Sequence, residues 1–148
     1  MARIYLDMCC LKRPFDEQSQ DRIRREALAV AAIIERAGAG GDELVRSPAL
    51  RLENDLNPRE DRRLAAALWL DGATIDAPLS VEAEDRARNL LTLGFAPVDA
   101  LHVALAEGAG ARWLATCDDR LLSLGKRFAA DLHVTIANPR DVIAQGDE

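Results

Sequence analysis

Apolar and polar residues follow two rhythms along this chain, short runs with β character and longer stretches of helical period. Arg3-Ile-Tyr-Leu-Asp7 reads as a first strand that ends in an acid. From Gln20 to Arg36, apolar residues recur at Ile23, Ala27, Val30, Ala31 and Ile34, the one-face spacing of an amphipathic helix. Ser19 is its expected N-cap, and Gly38, Gly40 and Gly41 mark its end. Glu43-Leu-Val-Arg46 follows as a second short strand.

Punctuation residues divide the remainder. Ser47-Pro48 places a capping hydroxyl before a proline at the first helical position, and Asn57-Pro58 repeats the signal ahead of a helix from about Arg59 to Leu70. Thr74-Ile-Asp76 is a weak strand. Ser80 opens another helix, with Glu82, Glu84 and Asp85 in its first turns, where the macrodipole favours acids, and Gly94 closes it. Pro97 starts a helix that runs to about Glu107 and stops at Gly108-Ala-Gly110. Trp113 to Thr116 is a strand, Arg120 to Phe128 a helix and His133 to Ile136 a last strand. Asn138-Pro139 introduces a short terminal helix.

Strands separated by helices imply βαβ units, and hence an α/β fold with a parallel sheet covered on both faces. The 148 residues suit a single domain spanning 1–148, and no linker, low-complexity tract or internal repeat divides them. The apolar stretch Leu28 to Ile34 is far too short to cross a bilayer, and Met1 to Leu6 holds no signal-type run. The expected location is therefore cytoplasmic, with no membrane partner. Cys9, Cys10 and Cys117 show no C-x-x-C or zinc spacing, so they are read as reduced thiols and small buried fillers, with a redox or metal role as the lesser alternative.

In a parallel α/β fold, ligands gather beyond the carboxyl ends of the strands. Asp7 ends the first strand, Asp118 follows the strand Trp113 to Thr116, and Asp99 lies in the first turn of the Pro97 helix. Glu53 lies about one and a half turns into the helix opened by Ser47-Pro48 and can project over the same edge. Each acid has a bland reading: a cap, a turn former or a solvated helix residue. Together they resist it. An acid directly after Ile4-Tyr5-Leu6 is costly near a sheet edge unless it is paired. With two histidines and two lysines in the chain, that pairing falls to an arginine, a hydrogen-bond donor or a metal.

Four segments carry a resemblance: Ile4-Tyr5-Leu6-Asp7, Ser47-Pro48-Ala49-Leu50-Arg51-Leu52-Glu53, Pro97-Val98-Asp99-Ala100-Leu101-His102-Val103-Ala104, and Leu114-Ala115-Thr116-Cys117-Asp118-Asp119. In order and spacing they resemble the PIN-domain ribonucleases, which include the VapC-like toxins of toxin–antitoxin pairs. The D-A-L-H-x-A segment with T-x-D downstream is the more specific part. The Asn57 to Ala77 region is longer than in a minimal toxin of that kind.

The resemblance implies a four- or five-stranded parallel sheet with an acidic pocket at one edge. It maps the family's four acids onto Asp7, Glu53, Asp99 and Asp118, with Asp119 as an auxiliary ligand or competing assignment and Thr116 as the supporting hydroxyl. It also implies a dyad of Mg2+ or Mn2+, an RNA substrate, a homodimer and a possible antitoxin partner. A carboxylate set without matching Cys/His ligands favours Mg2+ or Mn2+ over Zn2+. The expected reaction is phosphodiester hydrolysis, with Asp7 and Asp99 holding the main metal and Glu53 and Asp118 holding a second one or positioning water.

Charge complicates that expectation. Nineteen basic against 25 acidic residues give a net charge of −6, the opposite of a basic nucleic-acid footprint. Bound cations would reverse the local sign where a phosphate sits. Lys12, Arg13 and Arg51 are the basic residues expected to face substrate, whereas Arg22, Arg24, Arg25, Arg59, Arg62 and Arg63 read as solvated helix faces. His102 reads as a structural histidine hydrogen-bonded near the sheet, with pocket contact as the other reading.

Other α/β enzymes fit poorly. A dehalogenase-like phosphatase needs a second acid two residues after the first, where Cys9 stands. A receiver domain needs an acid pair and a late strand-end lysine, and a dinucleotide site needs a strand followed by G-x-G-x-x-G; neither is present. The remaining alternative is a non-catalytic RNA-binding or protein-interaction module on the same fold.

Overall fold

The apolar runs pair as one five-stranded parallel sheet in the computed structural model, which describes residues 1–146. Its strands are Arg3–Leu6 (β1), Glu43–Arg46 (β2), Ile75–Asp76 (β3), Trp113–Ala115 (β4) and Thr135–Ala137 (β5), in the order β3-β2-β1-β4-β5. Eight α-helices connect or flank them: α1 (Met8–Lys12), α2 (Asp21–Gly38), α3 (Pro48–Asp55), α4 (Glu60–Gly72), α5 (Val81–Thr92), α6 (Pro97–Gly108), α7 (Asp119–Arg127) and α8 (Pro139–Gly146). α2 and α4 pack against β2, α6 against β4 and α7 against β5, and the right-handed rule for parallel crossovers assigns the first two helices to one face and the last two to the other. The central strand β1 is therefore apolar on both faces, and Ile4, Tyr5 and Leu6 are all buried.

β1 sits between β2 and β4, with Ile4 opposite Leu44 on one side and Trp113 on the other. From β1 the chain winds outward to β2 and β3, then returns to β4 and winds outward the other way. The crevice above β1 and β4 is therefore the topological switch point, where α/β sheets bind ligands. α7 approaches β5 so closely that a Cβ at Gly125 would lie 2.7 Å from Ile136 Cβ.

Several boundaries differ from the sequence reading for local reasons. β1 ends at Leu6, and Asp7 instead caps α1, a five-residue helix that sequence reading left out, followed by a 3₁₀ turn at Arg13–Phe15. Ser19 does not cap α2; Gln20 takes that place, and the Ser19 hydroxyl turns to Glu17. β4 stops one residue early, at Ala115, and β5 starts two residues late, at Thr135. Ser47 and Ser80 cap as expected, each accepting a backbone N–H at 3.1 Å, from Leu50 and Ala83.

The buried face of α2 is also rotated. Glu26, Ala27, Ala29, Val30 and Ile33 are buried, whereas Ala31 is exposed. The cause is Glu26, fully buried yet paired. Arg13 Nη2 lies 2.9 Å from Oε1 and Arg22 Nε 3.3 Å from Oε2, and the Asn138 amide also donates to Oε2. This cluster ties the 3₁₀ turn, α2 and the start of α8 together. Among the described residues no helix is long and apolar enough to cross a membrane.

Candidate active site

Asp7 leaves β1 at the switch point, its backbone N–H bonded to Ala115 O at 3.0 Å. Its side chain is buried, and three donors address it. Met8 N–H reaches Oδ1 at 2.8 Å, Thr116 Oγ1 donates to Oδ2 at 2.9 Å, and Cys9 Sγ lies 3.4 Å from Oδ2. Hydrogen-bond donors, with no arginine or lysine among them, thus satisfy the acid whose cost the sequence exposed. They do not fully compensate its burial: desolvation pushes the carboxyl up to about 7, with Cys9 adding to the rise and His102 and Thr116 opposing it. Thr116 also accepts Asp118 N–H at 3.1 Å, so one hydroxyl links two of the acids.

Glu53 arrives from α3 and is held by His102 of α6, whose Nε2 bonds Glu53 Oε1. Behind His102, Nδ1 lies 2.6 Å from Tyr5 Oη, which in turn lies 2.7 Å from Ser47 Oγ. A buried relay therefore runs from the cap of α3, through β1 and α6, to a carboxylate on the pocket wall. His102 Nε2 is also 4.0 Å from Asp7 Oδ1. Burial opposes charge on the ring, but the Glu53 hydrogen bond and the Asp7 charge outweigh it, so the imidazole holds its proton above the ordinary range. Both readings of His102 hold together: it is buried and hydrogen-bonded, and it touches a pocket acid.

Asp99 lies in the first turn of α6, half-buried, and is pushed up to about 6 by burial and then by the charges of Asp7 and Asp118. Asp118 is exposed and caps α7, Oδ1 accepting from Arg120 N at 2.8 Å and Leu121 N at 3.3 Å. The cap reading is thus correct for Asp118, yet Asp118 also lines the pocket. One open cavity of about 320 Å³ is walled by Asp7, Glu53, Asp99 and Asp118 together with Lys12. A larger space of about 450 Å³ beside β5, lined by Arg112 and Lys126, contains none of these acids.

The other expected residues divide. Lys12 lines the acidic cavity and has no ion-pair partner among the described residues. Arg13 lines it too, but its guanidinium is committed to Glu26 and, at 3.0 Å, to Asp16. Arg51 lies outside the cavity, bonded to Asp71 at 2.6 Å. Asp119 also lies outside it, held by Arg22 Nη2 at 2.8 Å and Nη1 at 3.0 Å. That ion pair accounts for Asp119 without a ligand role. Sequence reasoning missed Tyr5, Ser47 and the Cys9 contact to Asp7; no spacing signals a relay joined across the sheet.

The donor set suits a hard divalent cation. Four carboxylates from four separate segments face one cavity, two of them hold protons too readily for isolated acids, and among the described residues Lys12 is the basic residue of its lining without an ion-pair partner. Asp7, Glu53 and His102 place ligand atoms within 4.8 Å of one another. No protein-family model matches the chain, and no curated protein matches it either.

Proposed function

We propose that this chain is a divalent-cation-dependent ribonuclease that hydrolyses phosphodiester bonds at the pocket of Asp7, Glu53, Asp99 and Asp118. The observation that carries the reading is the convergence of those acids at the switch point of the sheet, around a buried Asp7 that no arginine or lysine pairs with and that His102 approaches only to 4.0 Å. RNA as substrate, a toxin role with an antitoxin partner, and a homodimer enter from the resemblance of the D-A-L-H-x-A and T-x-D segments to PIN-domain ribonucleases.

Bound in this pocket, Mg2+ or Mn2+ would supply a hydroxide-forming water and offset charge on the phosphate oxygens. Asp7 and Asp99 are the groups to hold the principal cation, because each gains most by exchanging a proton for one. Thr116 fixes Asp7 through Oδ2 while Met8 N–H fixes Oδ1, so the carboxylate is oriented before anything binds. His102 does the same for Glu53, leaving that carboxylate to share a second cation or hold a water. Asp118 spends Oδ1 on its helix cap, and its Oδ2 has no partner among the described residues. Lys12 is positioned to meet a phosphate at the rim. Cleavage of mixed single-stranded RNAs with Mg2+ or Mn2+ tests the proposal: activity should require the metal and disappear in Asp7→Asn and Asp99→Asn. Equal activity in wild type and both variants would refute the assignment.

A further inference from the structure

Beneath the carboxylates lies a second cluster that the nuclease reading does not use. Cys9 and Cys10 come from α1, and Cys117 from the residues joining β4 to the start of α7. Their sulfurs all lie within 4.8 Å of one another, and Cys10 Sγ is 3.8 Å from Cys117 Sγ. Cys10 is fully buried, Cys117 nearly so, and Cys9 half-buried where it lines the acidic cavity.

We propose that Cys9, Cys10 and Cys117 form a sulfur-only binding site for a single thiophilic cation, separate from the carboxylate site above it. Thiolates bound ~2.3 Å from one tetrahedral ion stand roughly 3.8 Å apart, and slightly farther apart around a trigonal one. The Cys10–Cys117 separation already has the first value, so binding requires only a small inward shift of Cys9. Three sulfurs with no imidazole or carboxylate in the set select a soft ion such as Cd2+, Zn2+ or Cu+ and reject Mg2+ and Mn2+. Access runs along Cys9, the member that faces the cavity. The ion takes thiolates, so whichever of the three sulfurs hold protons release them to solvent on binding. The backbone assists, because Cys117 N–H points at Cys9 Sγ from 3.3 Å and stabilises a thiolate there.

The fold gives the site a connection to its neighbour. Cys9 Sγ also touches Asp7 Oδ2 and Thr116 Oγ1. Coordinated to a soft ion, Cys9 loses the proton it offers Asp7. The two sites therefore touch at the Cys9–Asp7 contact, though the sulfur site stands without any nuclease activity.

The test uses the fully reduced protein titrated with Cd2+, followed by the near-ultraviolet thiolate-to-cadmium charge-transfer band, which carboxylates do not produce. The expected result is a band that saturates at one equivalent, persists in Asp7→Asn and vanishes in the Cys10→Ala/Cys117→Ala double variant. Should that variant fail to fold, Cys9→Ala, at the half-buried position, should weaken binding at least tenfold. Absence of the band in folded wild type, or a band unchanged in the cysteine variants, would overturn the proposal and leave the three residues as apolar fillers.

Discussion

The phenol of Tyr5 stands 2.6 Å from Nδ1 of His102, which links the central strand to a residue of α6 and through it to Glu53. Proton bookkeeping fixes the direction of the relay in the neutral ring. Leu50 N–H donates to Ser47 Oγ, Ser47 donates to Tyr5 Oη, Tyr5 to Nδ1, and Nε2–H to Glu53. Every member is satisfied in that order. Tyr5 and His102 also meet edge to face, with ring centroids 5.5 Å apart, so their orientation is fixed by packing as well as by hydrogen bonding.

Tyr5→Phe should therefore act at a distance. It leaves Ser47 and His102 Nδ1 without their buried partner, which costs about 1–3 kcal/mol of stability by chemical denaturation. His102→Ala should lower metal-dependent cleavage about 10- to 100-fold, mainly in kcat, because Glu53 loses the group that aims it. Cleavage unchanged in His102→Ala would reduce the relay to a packing feature.

In the metal-free protein, Asp7 is held at about 7 and Asp99 at about 6, against an ordinary 3.8 for each in the unfolded chain. Both raised carboxyls bind protons more readily when folded. Their contribution to stability is therefore complete below about pH 4 and is lost as pH climbs toward 7. For Asp7 it is on the order of 4 kcal/mol. Asp7→Asn should be more stable than wild type at pH 8, with an advantage that shrinks toward pH 5 and shrinks again when Mn2+ is added to both. Thermal melts across that range provide the check.

The buried Glu26 gives a contrast between two arginines on one carboxylate. Arg13→Met removes a partner whose side chain is 20% exposed, and should cost about 3 kcal/mol because it strips a buried carboxylate of its nearest charge. Arg22→Met removes a partner 45% exposed and should cost under about 1 kcal/mol. Urea denaturation of the two variants measures the difference.

Lys12 and Arg51 separate by the same reasoning from their partners. Lys12→Ala should raise the KM for RNA severalfold and reduce the salt slope of binding by about one, the loss of a single phosphate contact. Arg51→Ala should change neither, since its guanidinium is engaged by Asp71 outside the cavity.

Much of the architecture was readable because it rests on local chemistry. Ser47-Pro48 and Ser80 cap where a hydroxyl must accept an early N–H, and the acid after Ile4-Tyr5-Leu6 marks a strand end that needs partners. The five residues of α1 are too few to display a helical period, so the sequence pattern runs β1 on through Asp7. Periodicity places charge outside and so rotates the face of α2, whereas Glu26 is held inside by Arg13 and Asn138, which lie outside that helix. Asp7, Glu53, Asp99 and Asp118 were identifiable from position along the strands and helices. The Tyr5–His102–Glu53 relay was not, since it joins residues 97 and 49 positions apart and exists only once α3 and α6 pack. Arg51 and Asp119 neighbour pocket residues in sequence but lie outside the cavity, in ion pairs with Asp71 and Arg22.

Binding of Mn2+ to the reduced protein at pH 8 bears most directly on the central reading, since a hard ion reports on the carboxylates and not on the thiols. Titration calorimetry on wild type should show saturable binding that tightens from pH 6 to pH 8, as Asp7 and Asp99 give up their protons. Asp7→Asn should bind at least tenfold more weakly. No detectable Mn2+ binding by the folded wild type, or equal binding by wild type and Asp7→Asn, would contradict the metal-dependent nuclease and leave the fold as an interaction module.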